Sequence, residues 1–343
     1  MERPWSEEDS DGSGRLGGVG EAVPPASSPP LPHPGKQPSG GLSRLYTHHA
    51  FSFPLPARHR FPLAKYALLR SRVVDEGLMA ARDIHEPEPI AWEELALVHD
   101  AALLTRVREG TLTRREQQVV GLPWSAELVE RARRATRGTV EAARDALRTG
   151  AGMNLGGGTH HAARNAARGF CLVNDVAVAA VLLARDEHVR RMLVVDCDVH
   201  QGDGTAHIFR ADPRVFTLSL HGARNYPFTR IPSDLDVDLP TGTGDDAYLT
   251  ALSDALDRAL PSARPDLVFY LAGADPWEGD RLGRLSLTKA GLRARDDLVL
   301  ARAALAGAAV CVVLAGGYAD DIADTVDINL GTLRALLAHT ARA

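Results

Sequence analysis

The sequence predicts an α/β fold: a single domain with a mostly parallel central sheet and helices on both faces. Three observations carry that expectation. Short apolar runs of strand length recur at Met153–Leu155, 192–198, 215–220, 267–273 and 309–315, in the unbroken form that strands buried on both faces take. Stretches with helical spacing separate them, and this alternation builds parallel sheets. Polar residues then collect just past the runs, at the sheet edge where open α/β folds place their ligands.

The elements follow in chain order. Residues 1–43 are rich in Gly, Pro and Ser and close on PPASSPPLPHPGKQPSGG. Such a segment cannot bury enough apolar surface to offset its ordering entropy, so it is expected to be a disordered tail before a domain at 44–343. Leu45–His48 reads as a first strand and 53–62, FPLPARHRFP, as a Pro-rich loop. Helices are expected at Ala64–Asp75 and Trp92–Glu109, with a loop at 110–124. Pro123 opens a long helix over Ser125–Arg148, where Leu128, Ala132, Val140, Ala143 and Leu147 share a face and Gly150 ends the run. Asn174–Leu183 reads as a buried helix. Further helices are expected at 246–260, 287–306 and Ile322–His339.

Composition excludes several classes. A net charge of -5 argues against a general nucleic-acid binder. No apolar run approaches a membrane span, and the start MERPWSEEDS, acidic and without an apolar core, is not expected to act as a signal peptide. Cys171, Cys197 and Cys311 form no paired pattern, so no disulfide framework is expected and a cytoplasmic setting fits. Lysine stands only at Lys36, Lys65 and Lys289 among many arginines, a usage that suggests a GC-rich, bacterial gene.

The chemistry concentrates in MLVVDCDVHQGDGT, Met192–Thr205. Asp196, Asp198 and His200 alternate along an extended chain and so share a face. Two carboxylates on one face repel unless a cation lies between them, and a mixed O/N set suits a divalent metal such as zinc. An acidic strand end solvated by water is the plain alternative. Three more clusters occupy equivalent places: His160 and His161 in GGGTHH, Asp275 in LAGADPWEGD, and Tyr318 in LAGGY. Asp198, His200 and Asp275 would supply three ligands and leave a position for water and substrate. His160 and His161 are acid/base candidates, with Asp196 and Asp203 available to orient them, and Tyr318 could bind an oxyanion.

These residues lie in motifs similar to those of the histone deacetylase superfamily, of the arginase/deacetylase fold. The matching stretches are GGGTHHAARNAARGFCLVND, VVDCDVHQGDGT, VFTLSLH, AGADPWEGDRLGRLSLT and LAGGY, spread from about Phe53 to Ala338. HQGDG and EGDRLG most resemble the class IV branch and its bacterial relatives. The resemblance implies zinc, with ferrous iron as the alternative, on Asp198, His200 and Asp275. It implies His161 as general base and acid, His160 as its electrostatic partner, Asp196 and Asp203 as their carboxylates, and Tyr318 on the substrate carbonyl. Gly169, Phe170, Tyr226 and Gly316 become substrate-binding positions. Structural potassium is implied at Asp196, Asp198, His200, Ser219 and Leu220, and at a second site with Phe209, Asp212 and Val215. Arg60 would match an internal arginine near a product exit. Class I relatives also carry a rim aspartate, to which no residue of 110–124 is assigned.

The implied activity is removal of an acetyl or longer acyl group from ε-N-acyl-lysine in a protein or peptide. The alternatives are an acylated small amine such as an acetylpolyamine, with Asp280 and Glu278 forming an acidic entrance, or a non-catalytic acyl-lysine binder. A dinuclear ureohydrolase would want further ligands where Pro276 and Trp277 stand.

Overall fold

The computed structural model describes residues 41–341 except 50, 51, 57, 58 and 188. The expected tail therefore lies outside the described residues, save 41–43, which are without regular structure. Eight strands form one sheet: β1 Leu45–Tyr46, β2 Ile84–His85, β3 Ala151–Asn154, β4 Met192–Asp196, β5 Val215–Gly222, β6 Leu235–Leu239, β7 Leu267–Leu271 and β8 Ala309–Val313. Their order is β2-β1-β3-β8-β7-β4-β5-β6 and every pair is parallel.

Ten α-helices accompany the described sheet: α1 Lys65–Asp75, α2 Trp92–Leu95, α3 Ala101–Glu109, α4 Arg114–Val120, α5 Ala126–Thr149, α6 Asp175–Asp186, α7 Asp203–Phe209, α8 Asp245–Ala263, α9 Lys289–Leu305 and α10 Ile322–Thr340. Local signals set their ends. The Ser125 hydroxyl accepts from Leu128 N–H to start α5, and Gly150 closes it in the left-handed region. Asn174, Thr288 and Asp321 cap α6, α9 and α10 in the same way.

The central strands are apolar throughout because each face meets its own helix layer. Leu193 and Val195 of β4, with Val268 and Tyr270 of β7, pack into one core with α8, α9 and α10. Their neighbours Met192, Val194, Phe269 and Leu271 pack into a second core with α5 and α6. A two-residue side-chain period across two covered faces is the physical content of the unbroken apolar runs.

The structure departs from expectation in instructive places. The helix expected over Trp92–Glu109 is two, because Asp100 between them is extended and its N–H donates to Arg164 O at 2.8 Å instead of continuing the helical ladder. The expected loop at 110–124 contains α4, started by a reciprocal Thr113–Glu116 capping box. Edge strands β2 and β6 and the short α7 were not expected. The runs at 192–198, 267–273 and 309–315 leave the sheet two residues early, at Asp196, Leu271 and Val313, and the functional residues begin there.

Candidate active site and metal centre

In the sheet, β3, β8, β7 and β4 are consecutive neighbours. Being parallel, they end on one edge, and their ends run into GGGTHH, LAGGY, LAGAD and DCDVH. Four distant pieces of sequence thereby meet.

Asp198, His200 and Asp275 are buried, and one ligand atom from each lies within 4.8 Å of the others. His200 Nδ1 is 2.9 Å from Asp198 Oδ1 and 3.2 Å from Asp275 Oδ2. The outer oxygens are fixed by backbone donors: Gly316 N–H to Asp198 Oδ2 at 2.7 Å and Val199 N–H to Asp275 Oδ1 at 2.9 Å. Asp275 Oδ2 is buried without a hydrogen bond. A side chain at Gly316 would intrude, its Cβ falling 2.0 Å from that oxygen. Burial, then the charge of Asp198, pushes the Asp275 carboxyl up to about 7. Burial opposes a charge on His200, yet Asp198 and Asp275 outweigh it and raise the imidazole to about 10. Two carboxylates and an imidazole, converging with one buried carboxylate oxygen left without a hydrogen bond, form a donor set that fits a divalent cation.

Two histidine–carboxylate pairs flank the trio. His160 Nδ1 lies 2.6 Å from Asp196 Oδ2, His161 Nδ1 lies 2.7 Å from Asp203 Oδ1, and the two rings are 4.1 Å apart. Their environments push them in opposite directions. Burial works against protonation of His160, but Asp196 and Asp198 overcome it and raise it to about 9. Burial, then the charge on His160, lowers His161 to about 4. At neutral pH His160 is charged and His161 neutral. With Nδ1–H donated to Asp203, His161 keeps Nε2 as an acceptor.

Tyr318 is positioned from behind. Its N–H donates to Asp280 Oδ2 at 2.6 Å and its carbonyl accepts from Arg281 Nε at 3.0 Å. Its ring lies 6.4 Å from that of His200, and burial raises the hydroxyl well above its usual range, so it remains a donor. Asp280 also accepts from Leu282 and Gly283 N–H groups. Its oxygens are committed to this loop, which corrects the expectation that Asp280 helps form an acidic entrance, while Glu278 is exposed.

Of the residues expected to bind substrate, Gly169, Phe170 and Gly316 line the cavity, and Tyr226 stands beside it. Phe170 lines the cavity with its ring 5.8 Å from Tyr318, and Tyr226 stands 4.9 Å from His161, edge to face. Gly169 touches His161 so closely that a Cβ would come within 2.5 Å of Cδ2. Arg60 is exposed and offers only its carbonyl, to Arg281. The buried arginine lining this cavity is Arg131, stacked 4.2 Å from the Tyr66 ring. It falls on the stripe Leu128–Ala132–Ala135 of an arginine-rich helix, where spacing alone does not separate a buried cation from a solvated one.

The residues that the resemblance matched to potassium sites also lie near one another. Asp196 and Ser219 are register partners across β4 and β5, and Asp198 N–H donates to Asp196 Oδ1 at 3.1 Å. His200 N–H donates to Asp198 Oδ1 at 2.9 Å, and Leu220 follows Ser219 on β5. Phe209, Asp212 and Val215 share one turn, with Asp212 N–H on Phe209 O at 2.8 Å and Val215 N–H on Asp212 O at 3.2 Å.

Sequence reasoning missed several supports. Asp175 accepts from Gly158 N–H, Thr159 N–H and the Thr159 and Thr139 hydroxyls, and so shapes GGGTHH. Arg168 donates to His161 O at 2.8 Å and pairs with Asp203 at 3.2 Å. Arg295, fully buried in α9, donates to Gly273 O at 2.6 Å beneath Asp275. His99 ties Ala163 O to Asn174 N–H.

Among the described residues no helix is long and apolar enough to cross a membrane. Comparison with known proteins adds the remaining step. The chain is 44% identical over 281 residues to an uncharacterized protein of Picosynechococcus, covering 81% of this chain and 93% of that one. It is 33% identical to the human polyamine deacetylase HDAC10, covering 77% of this chain and 42% of that longer protein. The solved HDA15 HD domain superposes with a TM-score of 0.73 at 25% identity, covering 87% of this chain and 88% of that one. The histone deacetylase domain model matches residues 59–330, a span that holds all four strand ends of the site, and the chain belongs to the histone deacetylase family.

Proposed function

We propose that this protein is a zinc-dependent deacylase acting on ε-N-acyl-lysine in a protein or peptide. Family membership makes it a deacetylase-type hydrolase. The observation that carries the finer reading is the pair of histidine–carboxylate dyads beside a buried Asp198–His200–Asp275 trio at the floor of an aromatic-walled cavity.

A divalent ion on that trio, zinc or ferrous iron, would acidify water and polarise the acyl carbonyl. The chain supplies the rest. Neutral His161 takes a proton at Nε2 as water adds to the carbonyl carbon, with Asp203 holding the ring and stabilising its charged form. The same nitrogen returns a proton to the amine as the C–N bond breaks. Charged His160, held by Asp196, adds positive potential beside the developing oxyanion, and the Tyr318 hydroxyl donates to it. Gly169, Phe170 and Tyr226 wall the lysine side chain and exclude water, and Gly316 leaves room beside the trio. Potassium at the two carbonyl-rich turns would brace the ends of β4 and β5.

An acetylated polyamine is the second reading: of the two acids that could draw a polycation, Asp280 is committed to backbone donors and Glu278 alone is exposed. The deciding experiment is an acyl-length series on one lysine peptide, with and without chelator. Chelation should abolish turnover, and zinc or ferrous iron should restore it. Turnover indifferent to chelation would overturn the metal mechanism.

A further inference from the structure

Large hydrophobic side chains are exposed at four described positions: Leu97, Val119, Phe228 and Leu305. Single exposed apolar residues need no explanation. Two of these four, however, are linked to residues that touch His161. Phe228 is 86% exposed, and its ring meets Tyr226 edge-on at 6.3 Å, while Tyr226 meets His161 at 4.9 Å. Val119 is 48% exposed, and its carbonyl accepts Gly169 N–H at 3.0 Å, with Gly169 packed on His161. Each is one contact away from a residue that touches His161.

Neither side chain is exposed because its segment is loose. Arg230 Nη2 donates to Gly222 O at 2.9 Å and Ala223 O at 3.1 Å, and Asn225 Nδ2 donates to Leu282 O at 2.8 Å, which pins the turn bearing Phe228. On the other segment, Val120 O accepts Phe170 N–H at 2.7 Å, and the Gly121 carbonyl is held by His59 Nε2 at 3.0 Å. Arg168, Arg224 and Arg230 on these segments, with Arg281 behind Tyr318, are cationic.

Resting on the acyl-lysine reading above, we infer that Val119 and Phe228 form an apolar lip that reads the residues flanking the acyl-lysine in a polypeptide. A lysine side chain that fills the cavity to His161 leaves its main chain at the opening. The flanking residues then lie within one extended step, about 3.3–3.6 Å along the chain. An apolar neighbour there buries surface against the lip, whereas a polar one is desolvated without a partner. The substrate class is therefore a peptide segment with apolar residues beside the modified lysine.

The test compares kcat/KM for a Leu-flanked and a Ser-flanked acetyl-lysine peptide, with Nα-acetyl-Nε-acetyl-lysine amide as reference in each preparation. Wild-type protein should prefer the Leu-flanked peptide by roughly tenfold, the scale of a small apolar contact in discrimination. Phe228→Ser and Val119→Ser should each shrink that ratio, and the double variant should bring it near unity. Because the readout is a ratio between substrates, a loss of folded protein does not move it. No preference in the wild type, or an unchanged ratio in the double variant, overturns the lip while the acyl-lysine reading stands. Hydrolysis of neither the peptides nor the reference overturns that reading and the lip with it.

Discussion

The floor of the site and its walls are built by different physics. On the floor, every reacting group lies within a few residues of a parallel strand end, and backbone donors or carboxylates fix each one. The walls come from segments far apart in sequence: Phe61, Leu122 and Phe170 line the cavity, and Tyr226 stands against His161. Phe170 adopts φ 66, a left-handed conformation that a bulky residue takes only when its surroundings hold it there. Those surroundings are Val120 O on its N–H, the Arg168–Cys171 bridge, and Gly121 beneath its ring. The floor is thus set by topology and the walls by contacts, so damage to each should read out differently.

The largest effect belongs to the floor. His161→Ala should lower kcat by roughly 10²–10⁴-fold while leaving the fold intact, because it removes the acceptor nitrogen. Turnover by that variant within a few-fold of wild type would break the assignment of the floor as the seat of chemistry. Tyr318→Phe should lower kcat about 10²-fold through the lost donor.

Next is the brace under the floor. Arg295 holds Gly273 O and pairs with Asp296 at 2.8 Å, and Asp296 also accepts from Tyr270 and Thr332. Arg295→Met leaves that carboxylate buried without its cation and should cost about 3–5 kcal/mol in urea unfolding. Zinc affinity, measured by competition with a chromogenic chelator, should fall with it. A stable variant with unchanged zinc affinity would show that the floor needs no support from α9.

His99 contributes a smaller, pH-dependent share. It is buried and lowered to about 4, chiefly by burial, while it bridges the histidine loop to α6. Its folded pKa lies below the unfolded value of about 6.5, so the unfolded chain protonates first as pH falls. Stability from this group is whole above about pH 6.5 and is lost as pH drops toward about 4, by an amount on the order of 3 kcal/mol. Urea midpoints for wild type and His99→Gln should differ in slope across that window and run parallel above it. Equal slopes would remove His99 from the supports.

The same division explains what the sequence disclosed. Asp198, His200, Asp275, His160, His161 and Tyr318 were legible because each stands at a fixed short distance from an apolar run, and a strand end converts that distance into a place. The strands themselves were legible because both of their faces are covered. Arg295 and Arg131 were not, because on arginine-rich helices a buried cation has the same local spacing as a solvated one. Asp175 stands in a motif that was recognised, but its role depends on Gly158 and Thr139, which only the fold brings near. The helix bearing Val119 was missed although Thr113 and Glu116 spell a capping box.

The sharpest test of the contrast is a wall substitution far gentler than any on the floor. Gly121 has φ +74, and a Cβ there would sit 2.9 Å from Phe170 Cε1. Gly121→Ala should cost about 1–2 kcal/mol from its left-handed backbone and also displace the Phe170 ring. Gly150→Ala supplies the control, since Gly150 has φ +92 with nothing within 4 Å of its Cβ and so carries the backbone cost alone. If the walls position substrate without joining the chemistry, Gly121→Ala raises KM for an acyl-lysine peptide several-fold and leaves kcat nearly intact, while Gly150→Ala changes neither. A fall in kcat comparable to that of His161→Ala would mean that Phe170 is part of the reacting geometry, and the boundary between floor and wall would then run through Gly169 rather than beyond it.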